Sequence, residues 1–413
     1  MRVLAGKAAE KRVRELAARA SRLEAVEPQV RKIVRNVRRN RDRALMTYAR
    51  KWDGLQVGQP LRVEPAEIRA AWKTANSDLR SALKQAAENI RRFCEWQKPA
   101  KWTRKNYGML LGQLVRPLDS VGCYVPGGRY PLPSTLLMTV IPAQVAGVRE
   151  IRVVSPKPRP ETLAAAALLE VTEFYRVGGA HAIAALAYGT QSIPRVDKIV
   201  GPGNLYVTAA KKLVAFDCSI DFLAGPTEVV IVAEDGEAAF IAADLVAQAE
   251  HDPEALSVFI TSSRSLAEEV TACADEMAKN NAIARQSLAT NGVALVAASR
   301  AQALGWANVI APEHITVARS DVAAVRSAGS VFVGDYSPQA VGDYASGPNH
   351  VLPTAGAARY RGGLSVLDFL KLITVQELSP AALRRIAPVV TSLAEAEGLQ
   401  AHAESVRVRC AHA

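Results

Sequence analysis

Short runs rich in valine and isoleucine alternate with helical segments along most of the chain, and this alternation restricts the possible folds more than any other feature. Strand-like segments at 150–156, 173–179 and 197–203 are separated by helical ones, and the same pattern returns from 228 to 336. Such alternation is typical of parallel sheets built from right-handed crossovers. We therefore predict an α/β protein with two incomplete doubly wound (Rossmann-like) parallel-sheet domains, one inserted in the other.

The pattern changes near both ends of the chain, which predicts additional parts. Residues 1–110 read as mainly helical, and Ser379 followed by Pro380 predicts the start of an amphipathic C-terminal helix. That helix has no evident partner nearby in sequence, so we expect it to pack on a second subunit. The predicted division is an N-terminal helical arm (1–20), a metal and catalytic α/β domain (21–123 with 228–364), an inserted nucleotide-binding α/β domain (124–227) and a C-terminal dimerisation tail (365–413).

The net charge of +11 is concentrated in the first quarter of the 413-residue chain, where 27 Lys and Arg oppose 11 Asp and Glu up to residue 110. A nucleic-acid surface is one interpretation. The other is the solvated face of amphipathic helices, because apolar residues recur there at helical spacing with arginines between them. We favour the second, since the region lacks a recognisable nucleic-acid module, and we expect no nucleic-acid partner.

Five cysteines are scattered, odd in number and unpaired by spacing, which favours a reducing compartment. The N-terminus carries no signal-like apolar run, and no stretch approaches the length of a membrane span. We therefore expect a cytoplasmic protein without a membrane partner.

Four side chains of metal-ligand type lie far apart in sequence: Gln248, His251, Asp343 and His402. No CxxC pair or HExxH motif is present, so only the fold could bring them together, and convergence would indicate a catalytic metal in a cleft. Each also has a simpler interpretation, as a histidine at a helix end, a turn aspartate or a surface histidine.

Two further patterns could serve chemistry. Glu313 and His314 are adjacent at the end of an apolar stretch, and together they could polarise a water and carry a proton. Glycine-rich strand ends at 123–128, 176–182 and 198–204 could offer backbone N–H groups to phosphate. The standard GxGxxG fingerprint is absent, so these segments predict an anion or nucleotide site without naming the nucleotide.

Several longer strings resemble the histidinol dehydrogenase family, and they occur in that family's order. They are GCYVPGGRYPLPSTLLM, VGGAHAIAALAYGT, KIVGPGNLYVTAAKKLV, DFLAGPTEVVIVA, AADLVAQAEHDP, APEHI, GDYASGPNHVLPT and EGLQAH. The resemblance implies a cytoplasmic enzyme of histidine biosynthesis that oxidises L-histidinol to L-histidine, through L-histidinal, in two NAD-dependent steps. It also implies one zinc ion per subunit and a homodimer whose C-terminal residues complete the partner's site.

The resemblance implies roles for individual residues. Gln248, His251, Asp343 and His402 fall on zinc-ligand positions, which also contact the substrate. Glu313 and His314 fall on the catalytic pair, with His314 as the base and Glu313 activating water. Thr227 and Glu397 fall on substrate-contacting positions, and Tyr124, His181 and Asn204 on nucleotide-contacting ones.

Two positions depart from the family's pattern. His181 stands where the family often has Gln, and Thr227 where it often has Ser. These departures leave open a dehydrogenase of the same scaffold that acts on another polar amino or sulfo alcohol. A basic nucleic-acid-binding protein and an inactive metal-binding scaffold are the alternatives of other classes.

Overall fold

The computed structural model describes residues 1–19, 23–127 and 131–412. In these ranges the strands are β1 (Arg2–Ala5), β2 (Trp102–Asn106), β3 (Met109–Pro117), β4 (Ser120–Tyr124), β5 (Glu150–Val154), β6 (Glu173–Tyr175), β7 (Lys198–Val200), β8 (Ser219–Ile220), β9 (Glu228–Val232), β10 (Leu256–Thr261), β11 (Val293–Val296), β12 (His314–Val317), β13 (Ser330–Val333) and β14 (Leu370–Leu378). Gly128, the end of one predicted glycine-rich turn, lies outside the described residues.

The α-helices are α1 (Gly6–Ala17), α2 (Glu27–Trp52), α3 (Pro65–Thr74), α4 (Ser77–Trp96), α5 (Pro133–Ala146), α6 (Pro160–Leu168), α7 (Gly179–Tyr188), α8 (Leu205–Val214), α9 (Ala238–Ala249), α10 (Arg264–Met277), α11 (Ala282–Thr290), α12 (Arg300–Ile310), α13 (Gln339–Tyr344), α14 (Pro380–Ala396) and α15 (Gln400–Ala411). Across the described part of the chain, no helix combines the length and apolar character that crossing a membrane requires.

Two parallel sheets form the framework, and both have the same winding. The five-stranded sheet has the order β6-β5-β4-β7-β8, and the six-stranded sheet has β1-β11-β10-β9-β12-β13. Leaving aside the edge strand β1, the chain enters each sheet at a middle strand, β4 or β9, moves outward on one side, and then returns to the other side of that strand. The predicted pair of doubly wound parallel sheets is therefore confirmed, with switch points between β4 and β7 and between β9 and β12.

The first strand was not predicted. β1 pairs in parallel with β11 at the edge of the six-stranded sheet, from Arg2 beside Val293 to Ala5 beside Val296. The predicted N-terminal helical arm therefore begins with a strand, and only α1 follows as a helix. Four residues carry too little alternation to separate a strand from a helix start. Since β1 precedes β4–β8, the five-stranded sheet interrupts the six-stranded one in sequence, as an insertion does.

The helices between residues 27 and 96 pack on the five-stranded sheet. Leu45 of α2 shares a core with Ile183 of α7, and Ile90 of α4 shares one with Leu137 of α5. The prediction places this region in the metal and catalytic domain, and its apolar faces are buried against helices that flank the five-stranded sheet. Periodicity shows that a helix has an apolar face but not what covers it. The limits of separate domains remain a prediction.

The C-terminal region forms a separate arm. β14 pairs antiparallel with β3, which pairs with β2, and α14 and α15 follow. α14 starts at the predicted Ser379 cap, whose side chain accepts a hydrogen bond from the backbone N–H of Ala382. The segment after His402, which reads as strand-like in sequence, is helical in α15.

Candidate active site

A cavity of about 210 Å³ lies where the amino ends of β9 and β12 meet the carboxyl edge of the five-stranded sheet. It contains six of the side chains that the sequence singled out, contributed by β9, β12, α9, α13 and their flanking residues. These are Thr227, Gln248, His251, Glu313, His314 and Asp343. The fold thus brings together residues that span more than a hundred positions.

The Glu313 carboxylate is held by two donors from the start of β9. The Thr227 hydroxyl donates to Glu313 Oε2 at 2.6 Å, and the backbone N–H of Glu228 donates to the same oxygen at 2.9 Å. The Gln248 side-chain amide donates to the Thr227 hydroxyl in turn. This chain of donors fixes the carboxylate and leaves the Gln248 amide oxygen as that side chain's acceptor.

His314 is the first residue of β12, and it is almost completely buried. Its Nδ1 lies 3.2 Å from the Glu228 carbonyl oxygen, whereas its Nε2 lies 3.6 Å from Asp343 Oδ1. The Glu228 backbone therefore contacts both members of the pair, with its N–H on Glu313 and its carbonyl on His314. This arrangement orients two adjacent side chains toward one cavity.

Burial and charge shift the pKa values of these groups in different directions. Burial raises the pKa of Glu313 to about 7, because the anion loses hydration. Burial lowers the pKa of His314, but the negative charges of Glu313 and Asp343 outweigh it and raise the pKa to about 9. Burial also acts to raise the pKa of Asp343, but contact with His314 holds it below its usual value. Glu313 can consequently be present in either protonation state near neutral pH.

A buried ion pair involves Glu228, the residue whose backbone contacts Glu313 and His314. The Arg19 guanidinium, which follows α1, donates to both carboxylate oxygens of Glu228, and its Nε–Oε1 distance is 2.6 Å. Arg19 also donates to the carbonyl oxygen of Ile310, at 2.8 Å. The backbone that positions Glu313 and His314 is thus anchored by a guanidinium from the N-terminal region.

Three side chains at one side of the cavity fit the donor chemistry of a zinc ion. His251 Nδ1 lies 3.0 Å from the Ala247 carbonyl oxygen, so Nε2 is the ring nitrogen that can act as a ligand. Asp343 supplies a carboxylate and Gln248 an amide oxygen, although an amide is an uncommon zinc ligand. The described residues include no group of three or more His, Cys, Asp and Glu that could hold a metal. The set named here contains only two residues of those types, because its third member is an amide.

Asp343 lies in the short helix α13, near its end, rather than in the loop suggested by its neighbouring glycine. Its backbone carbonyl lies 2.7 Å from His350 Nδ1, and His350 Nε2 lies 3.3 Å from the Thr135 hydroxyl. Burial lowers the pKa of His350, which favours its neutral form. His350 therefore links α13 to α5 across the cavity.

The other two predicted residues of this site lie elsewhere. Glu397 follows α14 and His402 lies in α15, and both side chains are exposed in the C-terminal arm. Neither lines the cavity of its own chain.

A second cavity, of about 540 Å³, occupies the carboxyl edge of the five-stranded sheet at its switch point. The three residues expected to contact the nucleotide, Tyr124, His181 and Asn204, all line it. The Tyr124 hydroxyl accepts a hydrogen bond from the Gly179 backbone N–H at 3.1 Å. Asn204 caps α8, with its side-chain oxygen accepting from the backbone N–H groups of Tyr206 and Val207. A switch point at the carboxyl edge is where doubly wound sheets bind nucleotides.

His181 is buried in this cavity against a carboxylate. Its Nε2 lies 2.7 Å from Asp53 Oδ2, which also accepts from the Gly178 backbone N–H at 3.0 Å. The ring lies against Tyr48 and Trp52, with centroids 5.7 and 5.6 Å away. The imidazole is thus held in place from the side of α2.

The two cavities adjoin along one segment. Pro202 and Gly203 line the smaller cavity, and the next residue, Asn204, lines the larger one. A molecule bound at the switch point can therefore extend past this segment toward Glu313 and His314.

Sequence reasoning missed Asp53, Arg19 and Glu228. Asp53 meets His181 across 128 positions, and Arg19 meets Glu228 across 209. No local pattern connects partners so far apart, so neither pair could be found without the fold.

Comparison with known proteins gives one family. The family model described as "Histidinol dehydrogenase" matches residues 16–410. A protein named histidinol dehydrogenase from Methanothermobacter thermautotrophicus is 47% identical over 392 residues, covering 91% of this chain and 92% of that protein. One of the same name from Haloarcula marismortui is 48% identical over 400 residues, covering 94% of each.

Solved structures agree in fold. The crystal structure of a histidinol dehydrogenase from Elizabethkingia anophelis is similar with a TM-score of 0.93 and 34% identity, covering 99% of this chain and 98% of that one. An acetylating aldehyde dehydrogenase from Geobacillus thermoglucosidasius has a TM-score of 0.51 at 11% identity, covering 90% of this chain and 97% of that one, a likeness of fold alone.

Proposed function

The chain belongs to the histidinol dehydrogenase family, and we propose that its two adjoining cavities oxidise L-histidinol to L-histidine, through L-histidinal, with zinc and NAD. One observation carries this proposal. Glu313 and His314, with three side chains of metal-ligand type, share a cavity that meets a nucleotide-sized cavity at residues 202–204. An alcohol held in the first cavity would lie beside a cofactor held in the second.

His314 is the proton carrier for the alcohol step. Its Nδ1 is occupied by the Glu228 carbonyl, so Nε2, on the Asp343 side, is the nitrogen that can exchange a proton with a substrate hydroxyl. Gln248, His251 and Asp343 would hold zinc, together with His402 of a second subunit. Zinc, when bound, supplies a Lewis-acidic centre that orients the imidazole and amine nitrogens of the substrate.

Glu313 is suited to the second oxidation. Its pKa of about 7 lets the carboxylate accept a proton from a water that adds to the aldehyde carbon. The Thr227 and Glu228 donors keep one oxygen fixed, which leaves the other to face the water. Tyr124, His181 and Asn204 would hold NAD, which supplies the hydride acceptor for both steps. Retaining the aldehyde in the enclosed site would protect it between the steps.

We also propose a homodimer in which the C-terminal arm of one subunit completes the site of the other. Glu397 and His402 lie outside the cavity of their own chain. The arm exposes large apolar side chains, including Leu372 at 52%, Val389 at 58% and Leu393 at 60% exposure. Burial of these side chains against a second subunit would remove their apolar surface from water. All five cysteines are free, which favours the reducing cytoplasm as the site of this activity.

A steady-state assay with L-histidinol tests the function. We expect two NADH per histidinol consumed, loss of activity after dialysis against EDTA, and recovery on adding zinc. One NADH per substrate would contradict the second oxidation. If another polar alcohol reacts and L-histidinol does not, the substrate assignment is wrong.

A further inference from the structure

The segment after β5 places two cations on the wall of the larger cavity. β5 is followed by Ser-Pro-Lys-Pro-Arg-Pro, and the side chains of Lys157 and Arg159 both line the cavity. β5 is the strand next to β4 on the side away from the switch point. In doubly wound dinucleotide sites, residues near the end of this second strand contact the adenosine ribose.

The segment is held in place by its prolines. Pro156 packs so closely on Gly127 and Gly178 that a Cβ added to either glycine would lie 2.0 or 2.5 Å from a Pro156 atom. Proline also fixes the backbone angle φ at alternate positions of the segment. The side chain of Lys157 lies over Gly54, where an added Cβ would be 2.7 Å from Lys157 Cε. The backbone that carries Lys157 and Arg159 is therefore conformationally restricted.

The charge balance of this wall favours an anion. No ion pair between described residues involves Lys157 or Arg159. The carboxylate in the cavity lining, Asp53, is turned toward His181 and the Gly178 backbone N–H. Residues 155–160 contain no Asp or Glu, and the next residue, Glu161, does not line the cavity. An acidic residue in this region would bind the 2′-hydroxyl of NAD, whereas Arg accommodates the 2′-phosphate of NADP.

We propose that Lys157 and Arg159 recognise a ribose 2′-phosphate, so that this enzyme reduces NADP as well as NAD. The proposal rests on the proposed function, because it requires that the larger cavity binds the dinucleotide. A planar guanidinium and a mobile ammonium together can contact a phosphate dianion with charge-assisted hydrogen bonds.

Kinetics with both cofactors test it. We expect wild-type enzyme to turn over L-histidinol with NADP, and Lys157→Ala/Arg159→Ala to lower kcat/KM for NADP by about tenfold or more. For NAD the same variant should change kcat/KM by less than about threefold, since NAD lacks the 2′-phosphate. Lys157→Arg/Arg159→Lys keeps both charges and should retain most NADP activity. Arg69→Ala/Lys73→Ala, which removes two exposed cations of α3 outside the cavity, is the charge-matched control.

Turnover with NAD but none with NADP would overturn the inference and leave the proposed function standing. An equal loss with both cofactors would also overturn it, because the cations would then bind the shared pyrophosphate. Calorimetry with 2′,5′-ADP and 5′-ADP reports on the site without turnover. The double alanine variant should lose affinity for 2′,5′-ADP alone, and equal affinity of wild type and variant would refute the assignment even if L-histidinol proves not to be the substrate.

Discussion

At the scale of single residues, Glu313 and His314 owe their geometry to one neighbour, Glu228. Its N–H and carbonyl contact the two side chains separately, so adjacent residues that would diverge along a regular strand both serve one cavity. The pair sits at the amino end of β12, with His314 as the first residue of the strand and Glu313 directly before it.

The two histidines of the site should separate chemistry from metal binding. His314→Asn should lower kcat roughly 100- to 10,000-fold, the range for losing a general acid-base group, while zinc content stays near one per subunit. His251→Asn should instead lose most of the bound zinc, since it removes a ligand. Steady-state kinetics with elemental analysis of dialysed protein measures both. Loss of zinc from the His314 variant would contradict its role as an acid-base group alone. Full zinc content in the His251 variant would show that His251 is not a zinc ligand.

Asp244, in α9, should make stability depend on pH. Burial raises its pKa from 3.8 to about 6, so the folded chain prefers the neutral acid. The contribution of the neutral Asp244 side chain to the free energy of unfolding is fully present below pH 4 and is lost as pH rises through 6. Asp244→Asn should therefore unfold like wild type near pH 4 and be more stable at pH 7.5, by about 1 kcal/mol after allowance for solvent screening. Thermal unfolding at both pH values checks this, and an equal difference at both would contradict it.

At the scale of elements, the alternation of strands and helices was predictable where segments are long and apolar. The strand-like segments predicted at 150–156 and 197–203 contain β5 and β7. Short elements without a clear period were missed, as β1 was, and α15 was misread because its Val-Arg-Val-Arg run has the period of a strand. The residues of the candidate site were likewise predictable only in part. The ligand-type residues were recognisable in the sequence and the resemblance implied their roles, whereas partners such as Asp53 depend on packing that no local pattern encodes.

Arg19, which follows α1, forms a buried ion pair with Glu228 at the start of β9, so its removal should lower the free energy of unfolding. The side chains of Arg19 and Glu228 are 17% and 4% exposed. Arg19→Gln would leave a buried carboxylate uncompensated, which costs about 3–5 kcal/mol. Arg19→Gln/Glu228→Gln should cost less than the sum of the single variants. Urea unfolding measures the cycle, with Arg12→Gln, from an exposed pair with Glu15, expected to cost less than about 1 kcal/mol. If the losses of unfolding free energy in the two single variants add up to the loss in the double variant, the two side chains do not act as a coupled pair.

At the scale of the whole molecule, the two sheets contribute opposite edges. The carboxyl edge of the five-stranded sheet borders both cavities, whereas the six-stranded sheet contributes the amino ends of β9 and β12 to the smaller cavity. At the carboxyl edge of the six-stranded sheet a different cavity, of about 380 Å³, lies among residues that include Glu234 and Arg319. The candidate active site thus lies between the two sheets, at the amino rather than the carboxyl ends of β9 and β12, which explains why no contiguous motif marks it.

The proposed division of the site between subunits predicts complementation. His314→Asn inactivates the cavity and His402→Asn inactivates the arm, so each homodimer should be nearly inactive. When the two variants are unfolded together and refolded as a mixture, half of the dimers are mixed, and each mixed dimer pairs one intact cavity with one intact arm. About a quarter of the wild-type activity should return, because one site in four is complete. A mixture of His314→Asn with Glu313→Gln, both in the cavity, should recover nothing. If the His402 mixture also recovers nothing, although the proteins refold as dimers, the arm serves its own chain and the shared-site proposal is wrong.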